Sequence, residues 1–151
     1  MDNAVIGAGW LCVFTPETWN QARSINYSQA AFPILRAKAA FRMRPGNKFF
    51  AYVSKIKKIA GVLEATDSAD INIEKSLYGT SGQFPVIIPT KAVHIIQDGH
   101  WLDMEALVGR LRLFRGLSNK KYWSVAIRIS PRELSSVDTQ ILSKLAMELP
   151  C

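Results

Sequence analysis

The sequence predicts a small α+β domain, a mixed β-barrel of about six strands with peripheral helices, and three observations lead there. The chain has 151 residues, 48% of them hydrophobic and 21% charged, which is the balance of one ordinary folded core and not of a disordered chain. Its apolar segments are short, rich in β-branched and aromatic residues, and separated by Gly, Pro, Asp or Lys, as in strands joined by turns. Only two later segments carry the apolar stripe of an amphipathic helix, one at i, i+3, i+4, i+7 and one comparable to it, so strands do not alternate with helices as in a doubly wound parallel sheet. A single domain over 1–151 is the expectation.

Trp10 to Phe14 reads as a buried strand. The apolar opening from Ala4 to Phe14 has Asp2 and no positive charge before it and no cleavage site after it, so it is not read as a signal peptide. Thr15-Pro16-Glu17 then gives an N-cap, a proline at the first helical position and an acidic first turn, opening a short helix with Trp19 and Ala22. Phe49 to Val53, Ile59 to Ala65, Phe84 to Ile88, Val93 to Ile96 and Val125 to Ile129 are the other predicted strands. Met104, Leu107, Val108 and Leu111 follow Asp103 at helical spacing, as do Val137, Ile141, Leu142 and Leu145 after Ser135-Ser136. Asp70 to Gln83 reads as a surface loop.

Charge narrows the partner. The chain holds 19 Lys and Arg against 12 Asp and Glu, a formal charge of +7, which favours polyanions. Eight basic residues and no acidic one lie between Arg36 and Lys58, and seven basic and no acidic one between Arg110 and Arg132. Both windows carry aromatics: Phe41, Phe49, Phe50 and Tyr52 in the first, Phe114, Tyr122 and Trp123 in the second. Cations that neutralise phosphates beside rings that stack on bases suit nucleic acid better than a lipid surface, which a basic amphipathic helix would signal. The competing reading puts Phe49, Phe50 and Tyr52 in the core and leaves the cations as surface charge. No apolar run is long enough to span a membrane. Two cysteines, Cys12 and Cys151, give no disulfide framework or metal pair, so a reducing, cytoplasmic setting is expected.

Catalytic signatures are missing. His94 and His100 have no partner at metal-ligand spacing, the Gly7 and Gly9 pair precedes a strand instead of following one, and Asp67 with Asp70 reads as a solvated turn. There is no GxSxG elbow, P-loop or HExxH. No metal and no cofactor are expected, and a binding module is favoured over an enzyme.

Three motifs in order, Gly9-Trp-Leu-Cys-Val-Phe-Thr-Pro-Glu-Thr-Trp19, Arg44-Pro-Gly-Asn-Lys-Phe-Phe-Ala-Tyr-Val-Ser54 and Ile59-Ala-Gly-Val-Leu-Glu64, resemble the EVE domain family, relatives of YTH and other PUA-like domains. Phe84-Pro-Val-Ile-Ile-Pro89, the Asn119-Lys-Lys-Tyr-Trp123 loop and Arg132-Glu-Leu-Ser-Ser-Val-Asp138 continue the resemblance to about Leu145. It implies a PUA-like barrel that reads a modified DNA or RNA base flipped into a pocket. Carried over by position, the ligand residues are Thr15, Tyr52, Ser54, Asn119 and Trp123, with Lys120 and Lys121 from the same loop on phosphates; from the basic windows Lys55, Lys57, Lys58 and Arg115 are further candidate phosphate contacts.

The sequence departs from the family at two places. Ala30-Ala-Phe-Pro33 stands where the family has Trp-Gly-Val-Pro, so the Trp falls on Ala30 and Phe32 is the nearest aromatic to replace it. Asn47 replaces the usual Asp. The other readings are a small nucleotide-binding or hydrolytic enzyme on the same fold, and an interaction module that has lost base binding.

Overall fold

In the computed structural model, which describes residues 9–71, 84–117 and 119–151, β1 (Gly9–Phe14) is the strand around which both halves of the chain are built. It runs parallel to β3 (Lys48–Val53), Trp10 opposite Phe49 and Phe14 opposite Val53. Its other edge pairs antiparallel with β8 (Arg132–Leu134) over Gly9 to Leu11. A parallel neighbour requires a crossover. The crossover consists of α1 (Pro16–Ser24), β2 (Gln29–Phe32), a 3-10 turn over Ile34–Arg36 and α2 (Ala37–Ala40).

β4 (Lys58–Ala65) forms a hairpin with β3, with a bulge where the register shifts between Ala51 and Tyr52. β6 (Val86–Ile95) pairs with β4 and with β2, giving the order β2-β6-β4-β3-β1-β8. Two short strands, β5 (Asp70–Ile71) and β7 (Leu102–Asp103), join β6 and β4 off this path. The six strands curl into a half-barrel. At Gly61 a Cβ would lie 3.1 Å from the main-chain oxygen of His94, so the glycine permits the tight approach of β6.

Strand alternation builds two cores, one on each face of the sheet. Trp10, Cys12 and Phe14 of β1 share one cluster with Phe49, Ala51 and Leu63, closed by Trp19 of α1, Phe32 of β2 and Met43. Leu11 joins Phe50, Tyr52, Ile59 and Val62 in the other, which is covered by Met104, Phe114, Trp123 and by Leu142 and Ala146 of α3 (Ser136–Met147). Both faces are thus buried, and β1, β3 and β4 read as nearly continuous apolar runs.

Several elements differ from expectation. Phe84 to Ile88 and Val93 to Ile96, predicted as two strands, merge into the one strand β6, which leaves Phe84, Pro85 and Ile96 outside it and continues through Pro89 opposite Gln29. Val125 to Ile129 is no strand: Lys120–Ile127 is 3-10 helix, and Trp123 and Ile127, four residues apart, are the pair it buries. The apolar set Met104, Leu107, Val108 and Leu111 is buried, but it forms only a 3-10 turn over Glu105–Leu107, since Leu111 has extended dihedrals. α3 is present, though its buried face is Asp138, Thr139, Leu142 and Ala146, and Val137 is exposed. The predicted loop from Asp70 to Gln83 lies mostly outside the described residues.

The Asn47 departure serves the fold. Its Oδ1 accepts the Arg44 N–H at 2.9 Å and the Trp10 indole N–H at 3.1 Å, fixing the turn before β3 against the β1 core. Asp138 has a comparable role: its two carboxylate oxygens accept the Arg112 and Leu113 N–H groups at 2.8 and 2.9 Å.

Candidate nucleic-acid interface

β1 and β3 end at the same side of the sheet because they are parallel and in register. The chain leaves β1 at Phe14 and enters α1 through a capping box. Thr15 Oγ1 accepts the Thr18 N–H at 3.0 Å, and Thr18 Oγ1 accepts the Thr15 N–H at 2.8 Å. Both hydroxyl protons are engaged as well, Thr15 Oγ1 donating to Thr18 Oγ1 at 3.2 Å and Thr18 Oγ1 to the Thr15 carbonyl at 3.3 Å, so the pair is fixed and one acceptor position remains, on Thr15 Oγ1.

Beside this junction a cavity of about 450 Å³ opens between the end of β1, the first turn of α1, β2 and the 128–130 segment. β1 contributes Cys12, Val13 and Phe14, and β2 contributes Ala30, Ala31 and Phe32. Thr15, Thr18 and Ser130 supply hydroxyls, Arg36 and Arg128 supply charge, and Pro33, Leu35, Phe84 and Ile129 complete the lining. The walls are mainly apolar with a few polar groups among them, the usual make-up of a small-molecule site, and the volume falls within the usual range of roughly 300 to 1,000 Å³. Among the described residues the lining holds two guanidinium groups and no carboxylate or imidazole.

The 128–130 segment closes the cavity where β8 no longer covers β1. Ser130 Oγ accepts the Val13 N–H at 2.9 Å. Arg36 ties the β2 side to the same segment, donating from Nε to the Ser130 carbonyl at 3.2 Å and from Nη2 to the Pro131 carbonyl at 2.9 Å. Burial pushes the Cys12 thiol up and keeps it protonated at neutral pH, so it acts as an apolar wall and not as a nucleophile.

The sequence-predicted ligand residues separate into two groups. Thr15 and Phe32 line the cavity. Tyr52, Ser54, Asn119 and Trp123 do not. Trp123 is 4% exposed and stands edge-on to both Tyr52 and Phe114, with ring centroids 6.3 and 5.9 Å away. Tyr52 belongs to the same core, and burial pushes its phenol up to about 12. Asn119 caps the 3-10 helix, its Oδ1 accepting the Lys121 N–H at 2.9 Å. Ser54 lies next to the cavity without lining it, donating its N–H to the Phe14 carbonyl at 2.8 Å.

Ala30 and Phe32 are both buried, two residues apart on one strand face, and both line the cavity. Phe32 therefore places a ring in the lining, two residues from Ala30. Trp10 and Trp19 are core, and Trp101 packs half-buried between the two clusters.

Lys55, Lys57, Lys58, Arg115, Lys120 and Lys121 are all exposed, and none lines this cavity. Lys55 and Lys57 occupy the β3–β4 turn, one and three residues beyond Ser54 and so at the cavity end of the sheet. Lys57 Nζ sits 5.8 Å from the Trp123 ring centroid, bringing the two acid-free windows together. Lys58 lines a second cavity of about 340 Å³ with Trp19, Arg23 and Asp98. Sequence reading missed Thr18, Arg36, Arg128 and Ser130. The signal available was that Arg36 and Arg128 belong to the two basic windows.

No protein-family model matches the chain, and no curated protein matches it in sequence. Solved structures do match across nearly its whole length. Rpa0253 from Rhodopseudomonas palustris is 22% identical, covering 95% of this chain and 96% of its own, with a TM-score of 0.61. The YTH domain of Zygosaccharomyces rouxii MRB1 in complex with N6-methyladenosine RNA is 11% identical, covering 99% and 95%, with a TM-score of 0.65. Human THYN1 in complex with 5-methylcytosine-containing DNA is 14% identical, covering 95% and 100%, with a TM-score of 0.60. The fold is the PUA-like α+β fold of these proteins.

Proposed function

We propose that this protein is a non-catalytic reader of a modified base in DNA or RNA, taking the extruded base into the cavity between β1, α1 and β2. The cavity itself carries the proposal. It is large enough for one base and has apolar walls for the ring faces, with Phe32 among them. Thr15 Oγ1 keeps an acceptor position for the polar edge of a base, and Arg128, with the Arg36 nitrogen left over from its two carbonyl bonds, can meet the phosphates. An added methyl group gains from such walls because its area leaves water. Two structural neighbours, MRB1 and THYN1, were solved with methylated RNA and methylated DNA respectively, and this supports the same use of the fold here.

The absence of a carboxylate or imidazole in the lining, among the described residues, favours binding over hydrolysis, because no side chain there is suited to moving a proton near neutral pH. Lys55, Lys57, Lys120 and Lys121 extend the phosphate-binding surface from the adjoining turn and 3-10 helix. Amide chemical-shift mapping tests the proposal. Oligonucleotides carrying 5-methylcytosine or N6-methyladenosine, each beside its unmodified counterpart, should shift Thr15, Ala31 and Phe32 more strongly when modified. Shifts confined to the Lys120–Ile127 segment, equal with and without modification, would contradict it.

A further inference from the structure

The border of the cavity carries apolar side chains where a purely phosphate-binding rim would carry polar ones. Leu35, on the 3-10 turn after Pro33, is 89% exposed and still lines the cavity; Ile129, on the 128–130 segment, is 56% exposed and lines it too. Ile34 adds a third exposed aliphatic. A single exposed leucine is ordinary. Here two stand on the two segments that border one cavity, and each has an arginine of the lining as its sequence neighbour, Arg36 and Arg128. The mount is rigid. Pro33 fixes the entry to the turn, and the two hydrogen bonds from Arg36 to the Ser130 and Pro131 carbonyls hold the segments in one relation. A hydrophobic projection held rigidly beside guanidinium groups matches the wedge that opens a base step while cations grip the backbone on either side.

We propose that Leu35 is such a wedge. When a base leaves a paired strand for the cavity, the Leu35 side chain enters the stack at the vacated step, and Ile129 packs beside it. The inference rests on the base-reading proposal and deepens it: the intended substrate is base-paired nucleic acid. A single strand has no stacked partner to displace, so the wedge contributes little there.

The test compares wild type, Leu35→Ser and Leu35→Met on three DNA probes: a duplex with one central 5-methylcytosine, the same strand alone, and the duplex with an abasic position opposite the methylated base. An unmethylated set runs alongside. Leu35→Ser should weaken binding of the paired duplex by about tenfold or more and of the single strand by about twofold or less, since only the duplex must be unstacked and unpaired. The abasic position, which removes the pairing to be broken, should restore most of the loss, and Leu35→Met should behave like wild type. Equal loss on all three probes, or no loss on the duplex, overturns the wedge. The wedge is read from the variant-to-wild-type ratio on each probe, and base reading from the methylated-to-unmethylated ratio, so either can fail while the other stands.

Discussion

Trp123 meets Tyr52 edge-on at 6.3 Å, with the ring planes 80° apart. The contact belongs to the core beneath the basic 3-10 helix, on the opposite sheet face from the cluster that holds Phe32. Trp123→Ala should therefore cost about 3 to 5 kcal/mol of stability. Among molecules that remain folded, preference for a modified base should be retained. Denaturant unfolding and binding of paired oligonucleotides by the same variant check both outcomes.

Asn47 gives a second stability prediction. Its Oδ1 is the acceptor for the Trp10 indole and the Arg44 amide, so Asn47→Ala leaves two donors without their partner at about 1 to 3 kcal/mol each. Asn47→Asp keeps an acceptor in place and should be far milder. Urea midpoints of the two variants, compared with wild type, decide whether this acceptor holds the turn.

The exposed lysines set the salt dependence. Replacing Lys120 and Lys121 with Gln should lower the log–log slope of affinity against salt by about one to two, and Arg128→Gln by about one. The preference for modified over unmodified base should survive the lysine changes, since phosphates and base are read by different side chains. An unchanged slope in the double lysine variant removes both lysines from the interface.

High pH probes the Tyr52 environment. The folded protein holds this phenol proton up to about 12, whereas an unfolded chain releases it near 10. Between these values the unfolded state binds fewer protons, so stability falls as pH rises. Tyr52→Phe should lose less stability than wild type over that window, measured by unfolding at matched ionic strength.

Much of the architecture was legible because it depends on local chemistry. Thr15-Pro16-Glu17 announced the N-cap and start of α1, and the runs through Trp10, Phe49 and Ile59 announced the central strands. Val125 to Ile129 was misread because a short β-branched run does not reveal its period; packing of Trp123 and Ile127 against the second core selects the 3-10 helix. The cavity was legible only at Thr15 and Phe32. Arg36, Arg128 and Ser130 are far apart in sequence and become neighbours through the Arg36 bonds to the 130–131 main chain, a relation that no spacing rule encodes. Trp123 was drawn to the site by its motif, though it packs in the second core and does not line the cavity.

The β2 strand tests how the cavity holds its ligand. Ala30→Trp adds a ring on the face it shares with Phe32, and should strengthen binding of a modified base without changing the salt slope. If the variant instead only lowers the melting temperature, the larger ring does not fit the cavity and Ala30 does not stand in for the family Trp.

The most direct measurement of the central claim is mass spectrometry of nucleosides released from nucleic acid captured by the wild-type protein and by a folded Phe32→Ala variant. Phe32 is 3% exposed and lines the cavity, so its loss should remove the aromatic wall while leaving the exposed cations in place. The account predicts that wild type enriches one or a few modified nucleosides over the input, and that Phe32→Ala captures nucleic acid in a salt-sensitive way without that enrichment. Equal enrichment by both proteins, or no modified nucleoside enriched by wild type, would contradict it.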